Sequence, residues 1–278
     1  MAAGVERFWL IAASLAYLAC AARAFLALGA NQPLRASLAN LFMVAGFVLQ
    51  TYALYLRGQA VGHCPLGNLY EVLIFIAWSL VLTYLVVGPP MHMSILGVFT
   101  APFVFVLNFL ALALPVDGPR IIMGKDPVLE LHASLCIVGF GAFGVAAVAG
   151  LMYLIQERQL KQRKLTHWFY DLPAINQLEN AHRRLLLWAY TVFTCGVVSG
   201  FFIERTGPAD SVKIAWSVLI WLLYSVLLAA PRLVQLSQKK VALFSVAACL
   251  FVLMTFWGVN SYSLHHRFAQ EKASVTEM

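Results

Sequence analysis

Charge is scarce in this chain. Only 11% of its 278 residues are Asp, Glu, Lys or Arg, against 62% that are hydrophobic, too few to cover a water-soluble core of that length with polar surface. Paired cysteines are missing too: Cys20, Cys64, Cys136, Cys195 and Cys249 form no C-x-x-C pair, which argues against dithiol redox catalysis and against a zinc cluster. Four of them fall inside apolar runs; Cys64 sits alone in a loop, where a reactive thiol is one reading and an inert one the commoner. There is no P-loop, no G-x-S-x-G, no H-E-x-x-H and no nucleic-acid module, so nucleic acid is not an expected partner. Neither internal repeats nor low-complexity segments divide the chain, and residues 1–278 read as a single domain.

What the chain does have is apolar runs of about 20 residues, the length a helix needs to cross a bilayer. They predict spans at 8–28, 38–56, 68–88, 93–114, 131–156, 184–203, 212–230 and 240–259. The fold class is therefore all-α: a polytopic membrane helix bundle of about eight transmembrane helices. Arg7 and the "ACAA" at 19–22 imitate a signal peptide, but apolar residues continue to Leu28 with only Arg23 between, so the segment reads as a retained helix.

Lys and Arg set the expected orientation. Residues 157–184 and the loop after the seventh span, with Arg35 and a snorkelling Arg23, gather 11 basic residues against the acids Glu157, Asp171 and Glu179. The opposite side carries eight of each sign, with Glu71 just inside a span. The first side, including a basic loop at 157–183, is expected in the cytoplasm and both termini outside. Trp168, Phe169 and Tyr170 beside the basic run suit the headgroup layer. The same count places His63, His132, His265 and His266 outside, and His92, His167 and His182 at the cytoplasmic face.

"GHCPLGNLYEVLIFIAW" (62–78) puts Asn68 and Glu71 in the first turn of an apolar helix. Two uses are open: a helix cap, or an ionisable group at the membrane edge that meets a buried cation or a ligand. The segment resembles the "GHFPLSNLYESLxFLSW" stretch of the cytochrome c assembly proteins of the CcsA/ResC type. Three more blocks follow in the family's order. "LHASLCIVGFGAFGVAAVAGLMYLI" (131–155) is similar to the helix opening "HVSMM", "INQLENAHRRLLLWAYTVFTCGVVSGFF" (175–202) to "LDNLSYRxxxxGFPLLTLGIISGAVW", and "GVNSYSLHHRF" (258–268) to the terminal "GVNLLGxGLHSYG".

The resemblance implies a membrane protein that holds non-covalent haem b at its external face between His132 and His265, since two imidazoles can approach one iron from opposite faces. His266 has no family counterpart and is open as a substitute for His265 or as a solvent-facing residue. Trp216, Glu71 and Asn68 are expected to belong to the haem-binding site with these histidines, and Arg57, Arg120, Lys125, Arg205 and Arg267 are available for haem propionates. The resemblance further implies presentation of haem to apocytochrome c together with a ResB-like subunit, as part of a cytochrome c synthase complex in a bacterial inner (plasma) or thylakoid-type membrane.

Two departures qualify this. The tryptophan-rich "WGSYWxWDPKETW" loop corresponds to "ERTGPADSVKIAW" (204–216), where Trp216 remains, in register with Lys213, Trp221 and Tyr224, but the preceding tryptophans do not. The family's inner haem ligand in "YAIYLHTR" corresponds to Ala229 of "YSVLLAAPR" (224–232). These point to a divergent member, similar to the HemX-like or YpjD-like relatives. A scaffold or regulator of haem metabolism, and a small-molecule transporter with Asn68 and Glu71 along its path, are the alternative readings.

Overall fold

The structure is a computed structural model that describes residues 2–30, 36–88, 95–116, 127–162, 173–203 and 208–255. Eight helices among them are long and apolar enough to cross a membrane, and the chain is an integral membrane protein. They are α1 (Ala2–Gly29), α2 (Ala36–Val61), α3 (Leu69–Val87), α4 (Ile95–Leu112), α5 (Pro127–Gln162), α6 (Ile175–Ser199), α7 (Pro208–Leu233) and α8 (Gln238–Thr255). A 3-10 turn, Gly200–Phe202, finishes α6. No strand occurs among the described residues, as expected where lipid offers the backbone no hydrogen-bond partner and helices satisfy it internally.

The eight expected spans are all present, but α5 and α6 reach further than apolar length requires. Residues 157–162 and 175–183, expected in a basic loop, are helical. Their side chains explain it: Lys161 pairs with Glu157 one turn earlier at 2.6 Å, and Lys239 at the start of α8 lies 4.0 Å from the same carboxylate. Such i, i+4 pairs continue a helix beyond the hydrocarbon.

The core is built around α5, because its small residues let neighbours approach closely. A Cβ at Gly139 would lie 2.9 Å from Phe193 Cβ, and one at Gly196 would lie 2.9 Å from Cys136 Sγ. Gly200 faces His132 and Gly150 faces His182 in the same way, so α5 and α6 run antiparallel in one constant register. On the other side, Gly141 meets Ser79 of α3, whose hydroxyl donates to Ile76 O and Ile137 O. Helix α7 stands off α5 across large rings: Tyr224 stacks on Phe143 at 3.5 Å and Trp216 meets Phe140 edge-on at 5.5 Å.

Polar side chains inside the α1–α4 group are bonded to one another. Tyr17 donates to Gln50, whose amide donates to Asn108 and to the Ile74 carbonyl, all at 2.9–3.0 Å. In hydrocarbon such cross-helix bonds replace water and fix which helices are neighbours.

Candidate functional site

Helix α3 begins with a capping box. The Asn68 side chain accepts from the Glu71 N–H at 2.8 Å, and Glu71 accepts from the Asn68 and Gly67 N–H groups at 3.3 and 2.7 Å. The four residues before Leu69 can then turn sharply while the helix's first N–H groups keep partners. The other Glu71 oxygen accepts from Arg57 Nε at 2.8 Å, and Arg57 also reaches Glu6 at 3.1 Å and the Val116 carbonyl at 2.8 Å. The Asn68 amide nitrogen donates to that same carbonyl at 2.8 Å.

All four side chains are almost fully buried: Glu6 1%, Arg57 3%, Asn68 3% and Glu71 0% exposed. The group ties the ends of α1, α2, α3 and α4 together. Its energetic logic is mutual dependence, because each charge is tolerable out of water only while its partners remain. Both Glu71 oxygens and both ends of the Asn68 amide are engaged in this clamp: Asn68 and Glu71 cap the helix, and Glu71 also meets a buried cation, Arg57. Arg57, expected to be available for a haem propionate, is instead buried and spent on these partners; neither it nor Glu6 could be assigned to the clamp from sequence, since no local pattern links residues so far apart.

His132 lies on the second turn of α5 at the same end of the bundle. Its Nδ1 is 2.7 Å from the Gly196 carbonyl, with Ser199 Oγ at 3.4 Å and Cys136 Sγ at 4.0 Å. A carbonyl oxygen can only accept, so the ring proton sits on Nδ1 and the lone pair on Nε2. No described residue bonds Nε2. This is how a metal-binding imidazole is held: one nitrogen tied to the protein, the other presented. Gly200 makes the room, since a Cβ there would lie 2.8 Å from Cε1 and 3.0 Å from Nδ1 of the ring. Neither glycine was singled out from sequence; the "CGVVSG" spacing on a helix antiparallel to the histidine was the available signal.

The α2–α3 loop is brought to the same place, with Cys64 Sγ 3.6 Å from Ser134 Oγ. Burial raises the pKa of the Cys64 thiol, which disfavours the nucleophilic thiolate. His63 is fixed as His132 is, its Nδ1 2.8 Å from the Cys64 carbonyl.

Trp216 is at this end too, but deeper. It meets Phe140, two turns along α5 from His132, roughly 12 Å at 1.5 Å per residue, and its indole donates to Thr255 Oγ1 at 3.0 Å. That bond brings the end of α8 to the His132 end of the bundle. His265 and His266 follow it in the chain but lie outside the described residues, as do His92 and His167.

His182 differs from its expected interfacial place. It is 0% exposed, between α5, α6 and α8: its Nδ1 lies 3.2 Å from the Gln238 amide, and a Cβ at Gly150 would lie 3.2 Å from Nε2. The ring is held inside the helix packing rather than at the membrane face. Among the described residues, no three His, Cys, Asp or Glu side chains are grouped to hold a metal ion by themselves; a porphyrin, which brings four nitrogens, asks the protein only for axial ligands.

Comparison with known proteins agrees with this architecture. The family described as "Cytochrome C assembly protein" matches residues 66–266. Among curated proteins, the chain is similar to the cytochrome c biogenesis protein CcsA of Chlamydomonas reinhardtii, at 26% identity over 233 residues, covering 80% of this chain and 65% of that protein. It is also similar to CcsA of Synechococcus sp. (strain CC9605), 25% identical over 256 residues and covering 81% and 84% of the two chains. Protein HemX of Bacillus subtilis (strain 168) is 25% identical over 230 residues, covering 80% and 83%.

Proposed function

This chain belongs to the cytochrome c assembly protein family, and we propose that it serves c-type cytochrome biogenesis by holding haem at the His132 end of its helix bundle and presenting it for attachment to apocytochrome c. The observation that carries the reading is the His132 tautomer: Nδ1 is spent on the Gly196 carbonyl at 2.7 Å, which leaves Nε2 as a neutral nitrogen ligand. Haem here is cargo, and an iron-bound porphyrin with reactive vinyl groups is what it brings to the site.

His265 is the proposed second ligand, with His266 as its alternate. Ten residues separate His265 from Thr255, and ten extended residues reach at most roughly 35 Å, so the chain beyond α8 is long enough to return to His132. Asn68 and Glu71 act at a remove, by holding the α2–α3 loop against α5, and Trp216 shapes the seam beneath the site. Charge distribution supports an external position for this end, and the family relationship supports a bacterial inner (plasma) or thylakoid-type membrane and a ResB-like subunit as partner.

The test is a His132→Ala, His265→Ala double variant in cells whose only copy is this protein. Loss of covalent c-type cytochromes, with normal levels of the membrane protein, is expected. A second reading, a HemX-like scaffold or regulator, is favoured by the similarity to HemX and by the missing tryptophans and inner histidine. Under that reading the double variant matures cytochromes as the wild type does.

A further inference from the structure

One face of α6 is not explained by packing or by haem. Leu178, Ala181, His182, Leu185, Leu186, Ala189 and Phe193 fill the buried face. On the opposite face, Asn180, Arg183, Arg184 and Leu187 line a groove of about 330 Å³. Both arginines are exposed, and neither forms an ion pair with a described acid, although Glu179 precedes Arg183 by one turn. This end of α6 is opposite the His132 end, because Gly150 and His182 lie together there while Gly200 meets His132.

Two guanidiniums side by side, without an ion pair to any described acid, ask for an anion, and their position on a membrane helix restricts which one. The stripe continues at helical spacing through Leu187, Trp188, Thr191 and Val198, all exposed on the same side. Trp188, 48% exposed, follows Arg184 by one turn, roughly 6 Å at 1.5 Å per residue, the depth at which indole rings settle beneath headgroups. Val198 is 14 residues beyond Arg184, roughly 21 Å, enough to accompany an acyl chain across its leaflet, half of a hydrocarbon core of about 30 Å.

We propose that this face is a binding site for an anionic glycerophospholipid, with the phosphate held by Arg183, Arg184 and Asn180 and an acyl chain lying along Leu187 and Trp188. Guanidinium forks match phosphate oxygens in pairs, and the apolar track selects a lipid over a free phosphate. By charge distribution the site belongs to the cytoplasmic leaflet.

The full chain is placed in nanodiscs with phosphatidylglycerol or phosphatidylcholine carrying brominated acyl chains, and the Trp188 contribution to fluorescence quenching is isolated by difference from Trp188→Phe. A basic residue near an anionic surface favours binding about fivefold, so the wild type prefers phosphatidylglycerol at Trp188 by roughly 25-fold. The Arg183→Gln, Arg184→Gln variant loses the preference, and Arg183→Lys, Arg184→Lys keeps part of it. Equal quenching by the two lipids in the wild type, a preference that survives the double Gln substitution, or displacement of phosphatidylglycerol by millimolar inorganic phosphate would each overturn the proposal. The wild-type comparison stands even if a variant fails to fold.

Discussion

Gly200→Ala isolates the support of His132 from His132 itself. The added Cβ would lie 2.8 Å from Cε1 and 3.0 Å from Nδ1, where ordinary contact begins at 3.4 Å, so the ring must retreat by about 0.6 Å or turn. Retreat along the bond stretches the 2.7 Å Nδ1–Gly196 contact to about 3.3 Å, past the useful range of such bonds. Losing that bond costs stability only about 0.5–1.5 kcal/mol, and the variant should fold. The effect on ligation is larger: removal of a partner that orients a metal-binding histidine weakens metal binding roughly 10- to 100-fold. The assay is haem titration of the purified protein followed by absorbance. Gly144→Ala is the control, because its Cβ would meet Leu80 Cδ2 at 2.7 Å, the movable end of a side chain remote from His132. If Gly200→Ala binds haem as tightly as Gly144→Ala and wild type, the second-sphere argument fails.

Other expectations follow from the remaining contacts. Arg57→Met leaves Glu6 and Glu71 buried without their shared cation, and denaturant unfolding in detergent should show a loss of about 3–5 kcal/mol; a change within about 0.5 kcal/mol would mean that the clamp is not maintained in the membrane. For orientation, a cysteine at Ser211 in a cysteine-free background should react with an impermeant thiol reagent in intact cells and one at Gln162 should not, and labelling at Gln162 would invert the assignment of faces. Ala229→His should raise bound haem from one to two equivalents per chain by restoring the inner ligand; two equivalents already present in the wild type would show that another residue serves there.

The bundle was legible because its apolar runs have bilayer length. The ends of α5 and α6 away from His132 were not, since Arg158, Lys161, Arg183 and Arg184 end an apolar run without ending a helix; in α5 the exposed turn is held by the i, i+4 pair of Lys161 with Glu157. Asn68 and Glu71 declared a cap at N-cap and N3 spacing, yet the Arg57 and Glu6 charges that complete the clamp come from α2 and α1 and needed the tertiary arrangement. His132 was legible as a candidate through its family block. Its partner is a backbone carbonyl and its space is a missing Cβ, and neither has a side chain to read. His182 looked interfacial because it adjoins two arginines; the rotation of about 100° per residue along a helix points it inward, against Gly150, while they point out.

The most direct test of the account is an absorption spectrum of the reduced, purified protein as wild type and as His132→Gly, each with and without added imidazole. With His132 as an axial ligand, the wild type shows a low-spin, bis-histidine haem. His132→Gly loses haem or turns high-spin, and imidazole, filling the space the side chain left, restores the low-spin bands. An identical low-spin spectrum in wild type and His132→Gly without imidazole would contradict the assignment of His132.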